Sequence, residues 1–175
     1  MQIDKSEYGS YYGRYIELVN GIPLESLWAS GMNDVITLMD SLTDEEALIR
    51  YEDDKWSLKE VIGHMLDTER IFCYRALAMA RGEEDIKGYD HNVYLENADF
   101  DRFSLSSLKK QYHITREYSK SLFESFNREE LQRTGTVNNS TFSVRAMAYV
   151  TAGHEQHHLH IIAEKYLPVI TQNDS

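Results

Sequence analysis

Leu24, Leu27, Trp28, Met32, Val35, Ile36, Met39 and Leu42 recur at three- and four-residue steps, and a stripe with that period belongs on one buried face of a helix. Pro23 stands just ahead of it, where a missing N–H costs nothing because helix starts leave theirs unpaired. The pattern returns three more times. Ser57-Leu58-Lys59-Glu60 has the form of a capping box, predicting a second helix that runs to about Gly82. A third begins near Ser104 or Ser106, with Leu108, Tyr112, Thr115, Ser119, Leu122 and Phe126 on one face. A fourth runs from about Ser143 to Leu167 and is expected to stop at Pro168. Four such segments in a chain of 175 residues have each other to cover their stripes. The predicted fold is all-α, a four-helix bundle with a short N-terminal arm.

Only 2 prolines and 9 glycines punctuate the chain, too few for a sandwich or barrel that turns at short, regular intervals. Residues 1–22, with Tyr8, Tyr11, Tyr12 and Tyr15 among three glycines, read as an arm or short helix lying on the surface. Residues 23–170 are the bundle and 171–175 a flexible tail. Residues 83–103 and 127–141 read as long connections, the second carrying turn signals at Gly135 and Asn138-Asn139. No segment reads as a strand.

The 18 Lys+Arg against 29 Asp+Glu give a net charge of -11. That balance disfavours a nucleic-acid backbone and an anionic membrane surface, both of which are bound through cationic side chains. No apolar run approaches the roughly 18 residues a membrane span needs. Cys73 is the only cysteine and cannot form an internal disulfide, which suits a reducing cytoplasm.

Four of the seven histidines, His154, His157, His158 and His160, crowd into the last predicted helix. At 100° per residue, with His154 as zero, His158 lies at about 40°, Met147 at about 20° and Ile161 at about -20°. His154 and His158 therefore sit in the middle of the buried stripe, with His157 at its rim and His160 mostly outside. Two buried imidazoles one turn apart need partners, and a divalent metal is one such partner. A third ligand is wanted from another helix. His64 borders the apolar stripe of the second helix, with Thr68 about 40° and Phe72 about 80° from it. His91, in a polar loop, and His113, beside its helix's stripe, are weaker candidates. Gly153 within the fourth helix suggests close backbone approach or ligand access.

His154-Glu155-Gln156-His157-His158 also spells H-E-x-x-H, the metalloprotease pattern in which Glu155 would be the general base. The metzincin extension fails, since Ile161 stands where its glycine belongs and Glu164 where its last histidine belongs. Glu155 is about 100° from His154, off the ligand face. Glu155, Asp67 and His157 remain the candidates for a catalytic role, and these, with Thr68 and Thr151, for orienting a ligand's second nitrogen. Cys73, about 180° around the helix from His64, is a poor nucleophile candidate.

The stretch Lys55-Trp56-Ser57-Leu58-Lys59-Glu60-Val61-Ile62-Gly63-His64-Met65-Leu66-Asp67-Thr68-Glu69-Arg70 resembles the second-helix motif of the DinB-like superfamily. Ala152-Gly153-His154-Glu155-Gln156-His157-His158 resembles its last-helix motif. The resemblance spans roughly residues 24–167 and implies a four-helix bundle carrying one divalent metal ion, zinc or nickel, on three histidines. Carried over residue by residue, those ligands are His64, His154 and His158. It also implies an enzyme acting on a small molecule, either a metal-dependent hydrolase or a transferase that activates a low-molecular-weight thiol, and a homodimer as a common state. Three neutral imidazoles leave a coordination position open, as catalytic sites do. The rival expectation is a bundle whose metal is a structural staple and whose acidic surface meets a protein partner.

Overall fold

The computed structural model describes residues 2–173. Two single helical turns, Lys5–Glu7 and Ser10–Tyr12, lead into α1 (Gly13–Val19) and then α2 (Leu24–Asp40) and α3 (Leu58–Ala80). There follow β1 (Asp85–Ile86), α4 (His91–Ala98), α5 (Leu105–Ser125) and α6 (Arg128–Gln132). The chain closes with β2 (Thr134–Val137), β3 (Ser140–Ser143), α7 (Val144–Ile161) and α8 (Leu167–Asn173). Helices α2, α3, α5 and α7 form the four-helix bundle expected from the four stripes, with α3 packed against α7 and α5.

The ends of these helices follow the local chemistry of the chain. At the start of α3, Ser57 Oγ accepts from the Glu60 amide at 3.0 Å and Glu60 Oε2 accepts from the Ser57 amide at 2.7 Å, closing a capping box. Gly82, just past its end, has φ 92°, a conformation that favours glycine. Ser104 is the N-cap of α5, accepting from the Ser107 amide at 3.2 Å.

Three expectations are corrected. The connections are not free of strands: β2 and β3 pair antiparallel, and β1 adds in parallel through Asp85↔Thr136. The hairpin turns on Asn138 and Asn139, both at positive φ (48° and 61°), as a two-residue hairpin requires; strands of two to four residues are too short to show a period. The 83–103 connection likewise contains α4. Residues 2–22 include the short helix α1 and stay largely exposed, but not all of their side chains lie on the surface. Ile3, Tyr15, Ile16 and Val19 are core residues, and Glu7 ties the segment to the bundle by accepting from Ser143 Oγ at 2.8 Å. Nor does Pro168 end the last helix. Ile162–Tyr166 widen into a π turn, and Pro168 falls in the first turn of α8, where the fixed ring is tolerated. Thus residues 171–173, expected in the tail, belong to α8, and residues 174–175 lie outside the described residues.

The interior is two apolar clusters rather than one. The first gathers Trp28, Phe72, Met79, Phe123, Phe142, Val144, Met147, Tyr149 and Val150 with the α1 residues Tyr15, Ile16 and Val19. The second gathers Val35, Leu58, Val61, Ile62, Met65, Leu66, Leu108, Tyr112, Ile162 and Tyr166. Between them each of α3, α5 and α7 contributes buried polar residues: His64, Thr68 and Glu69; Thr115, Arg116 and Ser119; His154, Glu155 and His158.

Candidate metal centre

His64 projects from α3, and His154 and His158 project one turn apart from α7. Their Nε2 atoms converge: His154 Nε2 lies 3.1 Å from that of His64 and 3.1 Å from that of His158. One nitrogen from each of the three falls within 4.8 Å of the others, and none of the residues is more than 9% exposed. Burial, reinforced by the neighbouring His91, pushes His64 down to about 4 from an ordinary 6.5. Burial, then the neighbouring histidines, hold His154 and His158 well below that value too. All three imidazoles are therefore neutral at pH 7, the form that donates to a metal. Tetrahedral zinc with N ligands at about 2.0–2.1 Å places them roughly 3.3 Å apart, close to the 3.1 Å separations here. The donor set fits a divalent ion.

These nitrogens line a cavity of about 500 Å³. Trp56 packs on His64 with ring centres 4.9 Å apart, and the Tyr15 edge meets His154 at 5.4 Å. That tyrosine is delivered by α1, which approaches α7 closely at Gly153: a Cβ there would collide with the Tyr15 carbonyl. Thr68 Oγ lies 3.5 Å from His64 Nδ1 and 2.6 Å from the Tyr89 hydroxyl. Tyr89 and His91 both reach the cavity from the start of α4, and His91 stands 5.5 Å from His64. A separate groove of about 420 Å³ beside Trp28, Phe123 and Tyr149 shares no lining residue with it.

The other expected site residues divide. His157 lines the cavity beside Tyr15, ring centres 5.3 Å apart. Asp67 is not in the lining and bonds Arg70 at 3.1 Å. Glu155 is buried on another face, accepting from Arg116 Nη1 at 3.2 Å and from the Tyr112 hydroxyl. Arg116 also donates to Glu69 at 3.1 and 2.9 Å. Burial alone would lower the pKa of this guanidinium, but Glu155 and Glu69 outweigh it and raise it. Thr151 Oγ is spent on the Met147 carbonyl at 2.8 Å. His113 and His160 are exposed. Cys73 is fully buried, 3.1 Å from Ser119 Oγ, and burial pushes its thiol up to about 12.

Arg75, Tyr12, Tyr15 and Tyr89 also line the cavity, and none was singled out beforehand. For Arg75 a signal existed: eleven residues beyond His64 is about 20° around the helix, the same face. Tyr12 and Tyr15 share a helical spacing with Ile16 and Val19, but that spacing marks a buried face and not a cavity, and Tyr89 precedes α4 in a segment without period.

A four-helix bundle with three convergent, neutral histidines in a cavity between two of its helices is the class of protein that this fold and site define. The chain belongs to the DinB superfamily, whose family model matches residues 29–162. No curated protein sequence matches it. Among solved structures it is similar to YfiT from Bacillus subtilis, described as a probable metal-dependent hydrolase with an unusual four-helix bundle topology. The TM-score is 0.75 at 14% identity, over 97% of this chain and 93% of that one. It is also similar to a mycothiol-dependent maleylpyruvate isomerase, with a TM-score of 0.66 at 12% identity, over 79% of this chain and 60% of that one. At these identities the likeness is one of fold.

Proposed function

We propose that this protein is a divalent-metal-dependent enzyme acting on a small molecule, with His64, His154 and His158 holding the ion and thiol transfer as its chemistry. The convergence of three buried, neutral imidazole nitrogens on one cavity carries this reading. Imidazole donors suit zinc and nickel alike. The bound ion would supply the positive charge that lets a thiol or a water lose its proton near neutral pH.

The chain's own residues prepare the site. Thr68 Oγ stands 3.5 Å from His64 Nδ1, placed to accept its N–H when Nε2 donates to the ion, and Tyr89 holds Thr68 in place. Tyr15 and Trp56 pack against the rings and fix their planes. One observation favours a thiol over water, since the ion would lower the pKa of either. The mycothiol-dependent neighbour shares the fold. Hydrolysis is the second reading, supported by the description of YfiT, which matches nearly the whole chain.

Metal analysis of protein purified without a nickel resin tests the ligand set. About one ion per chain is expected, falling severalfold in His64→Ala and His158→Ala; undiminished metal in both variants removes the site. A screen of cellular thiols for enzyme-dependent addition to a reactive electrophile then separates the chemistries, and a flat result with every thiol favours hydrolysis. Chelation addresses the structural rival: a staple predicts a large fall in melting temperature, because there binding energy is folding energy.

A further inference from the structure

Arg75 is 2% exposed and borders the cavity that the three histidines line. Its guanidinium faces the Phe72 ring at 5.6 Å and the Tyr89 ring at 5.3 Å, and Tyr12 stands beside it. No carboxylate among the described residues forms an ion pair with it; the titratable groups beside it are Tyr12 and Tyr89. Among the described residues, its Nε is the one buried side-chain nitrogen or oxygen without a hydrogen-bond partner. The contrast with Arg116, the other buried arginine, is direct: that guanidinium is saturated by two carboxylates. A guanidinium removed from water without a counter-charge is unfavourable, and a bound anion relieves it.

The surroundings point the same way. In a chain with 29 acidic and 18 basic residues, the lining of this cavity holds Arg14 and Arg75 and no Asp or Glu. The local charge is thus inverted relative to the whole molecule. Asn138 and Ser140, from the β2–β3 turn, add polar groups to the same lining, and its remaining walls are largely aromatic.

We infer that Arg75 anchors a carboxylate of the small molecule this cavity takes, so that the substrate is a carboxylic acid whose reacting group faces the three histidines. This rests on the proposal above that the cavity is the substrate site. A single guanidinium fork, with Nε free beside an Nη, matches the two oxygens and one negative charge of a carboxylate. A phosphate dianion would call for a second cation in contact, and Arg14 is engaged with the Tyr15 hydroxyl at 3.2 Å. Arg75 acts here as a specificity-determining residue.

The test is calorimetric titration of benzoate, benzamide and phenyl phosphate into wild type, Arg75→Gln and Arg75→Lys, each with and without zinc. Benzoate is expected to bind wild type at least tenfold more tightly than benzamide, zinc present or absent. Arg75→Gln abolishes that preference and Arg75→Lys retains part of it, while zinc content stays at the wild-type level in both. Equal affinity of wild type for benzoate and benzamide overturns the inference without reference to any variant, as does tighter binding of phenyl phosphate. So does a preference for benzoate that survives in folded Arg75→Gln. Zinc content is read independently: a protein that loads zinc through its histidines yet shows no charge preference refutes the carboxylate anchor and leaves the metal proposal standing. Persistence of the benzoate preference in zinc-free His64→Ala supports the anchor whatever becomes of the metal.

Discussion

The three histidines sit in a place that makes them poor bases. His64 titrates at about 4 in the folded chain against an ordinary 6.5, because its charged form has lost water and faces other imidazoles. A depressed value has a definite sign. As pH falls the unfolded chain takes up its proton first, so metal-free protein loses stability between pH 6.5 and about 4. Below both values the share of His64 is on the order of 3 kcal/mol. Thermal melts in the presence of chelator should therefore be flat above pH 6.5 and decline below it, less steeply in His64→Gln. A variant that declines as steeply as wild type would show that the ring is not desolvated. Cys73 stands at the other extreme: its buried thiol is directed to Ser119, away from the histidine-lined cavity.

At the scale of elements, the short helix α1 matters out of proportion to its length. It packs on α7 where Gly153 permits backbone contact with Tyr15, and this contact sets the Tyr15 ring against His154 and His157. Gly153→Ala removes an unfavourable helical glycine, worth about 1 kcal/mol. It also inserts a methyl into the Tyr15 carbonyl, an overpacking that costs about 1–3 kcal/mol. A net loss of up to roughly 2 kcal/mol is expected in urea unfolding, with metal affinity also reduced as the rings beside His154 shift. A stabilised variant would mean that α1 can move aside freely. The small sheet has a related role, because its Asn138-Asn139 turn brings Asn138 and Ser140 to the same cavity.

Across the whole molecule, the two apolar clusters are separated by a polar layer in which histidines face the cavity and Arg116, Glu69 and Glu155 tie α3, α5 and α7 together. Arg116→Met would leave two buried carboxylates without their cation, a loss of about 3–5 kcal/mol. Adding Glu69→Gln and Glu155→Gln removes the orphaned charges and should restore a good part of it. Urea denaturation of the single and triple variants decides the matter; a single variant as stable as wild type would show the layer to be solvated rather than sealed.

Periodicity made the four long helices legible, since an amphipathic stripe must be buried and its spacing names the structure that can bury it. The same arithmetic placed His154 and His158 on one line of α7 and His64 on the inner face of α3, and it turned Glu155 away from them. It could not show Glu155 and Arg116 meeting, since they lie 39 residues apart on different helices and no local pattern joins them. Nor could it foresee that Ile3, Tyr15, Ile16 and Val19 enter the core, or that Tyr12, Tyr89 and Arg75 converge on one cavity. Local spacing dictates which side of a helix a residue occupies; which neighbour covers that side depends on how distant segments pack. That packing alone left Arg75 buried beside the histidines with no carboxylate to answer its charge.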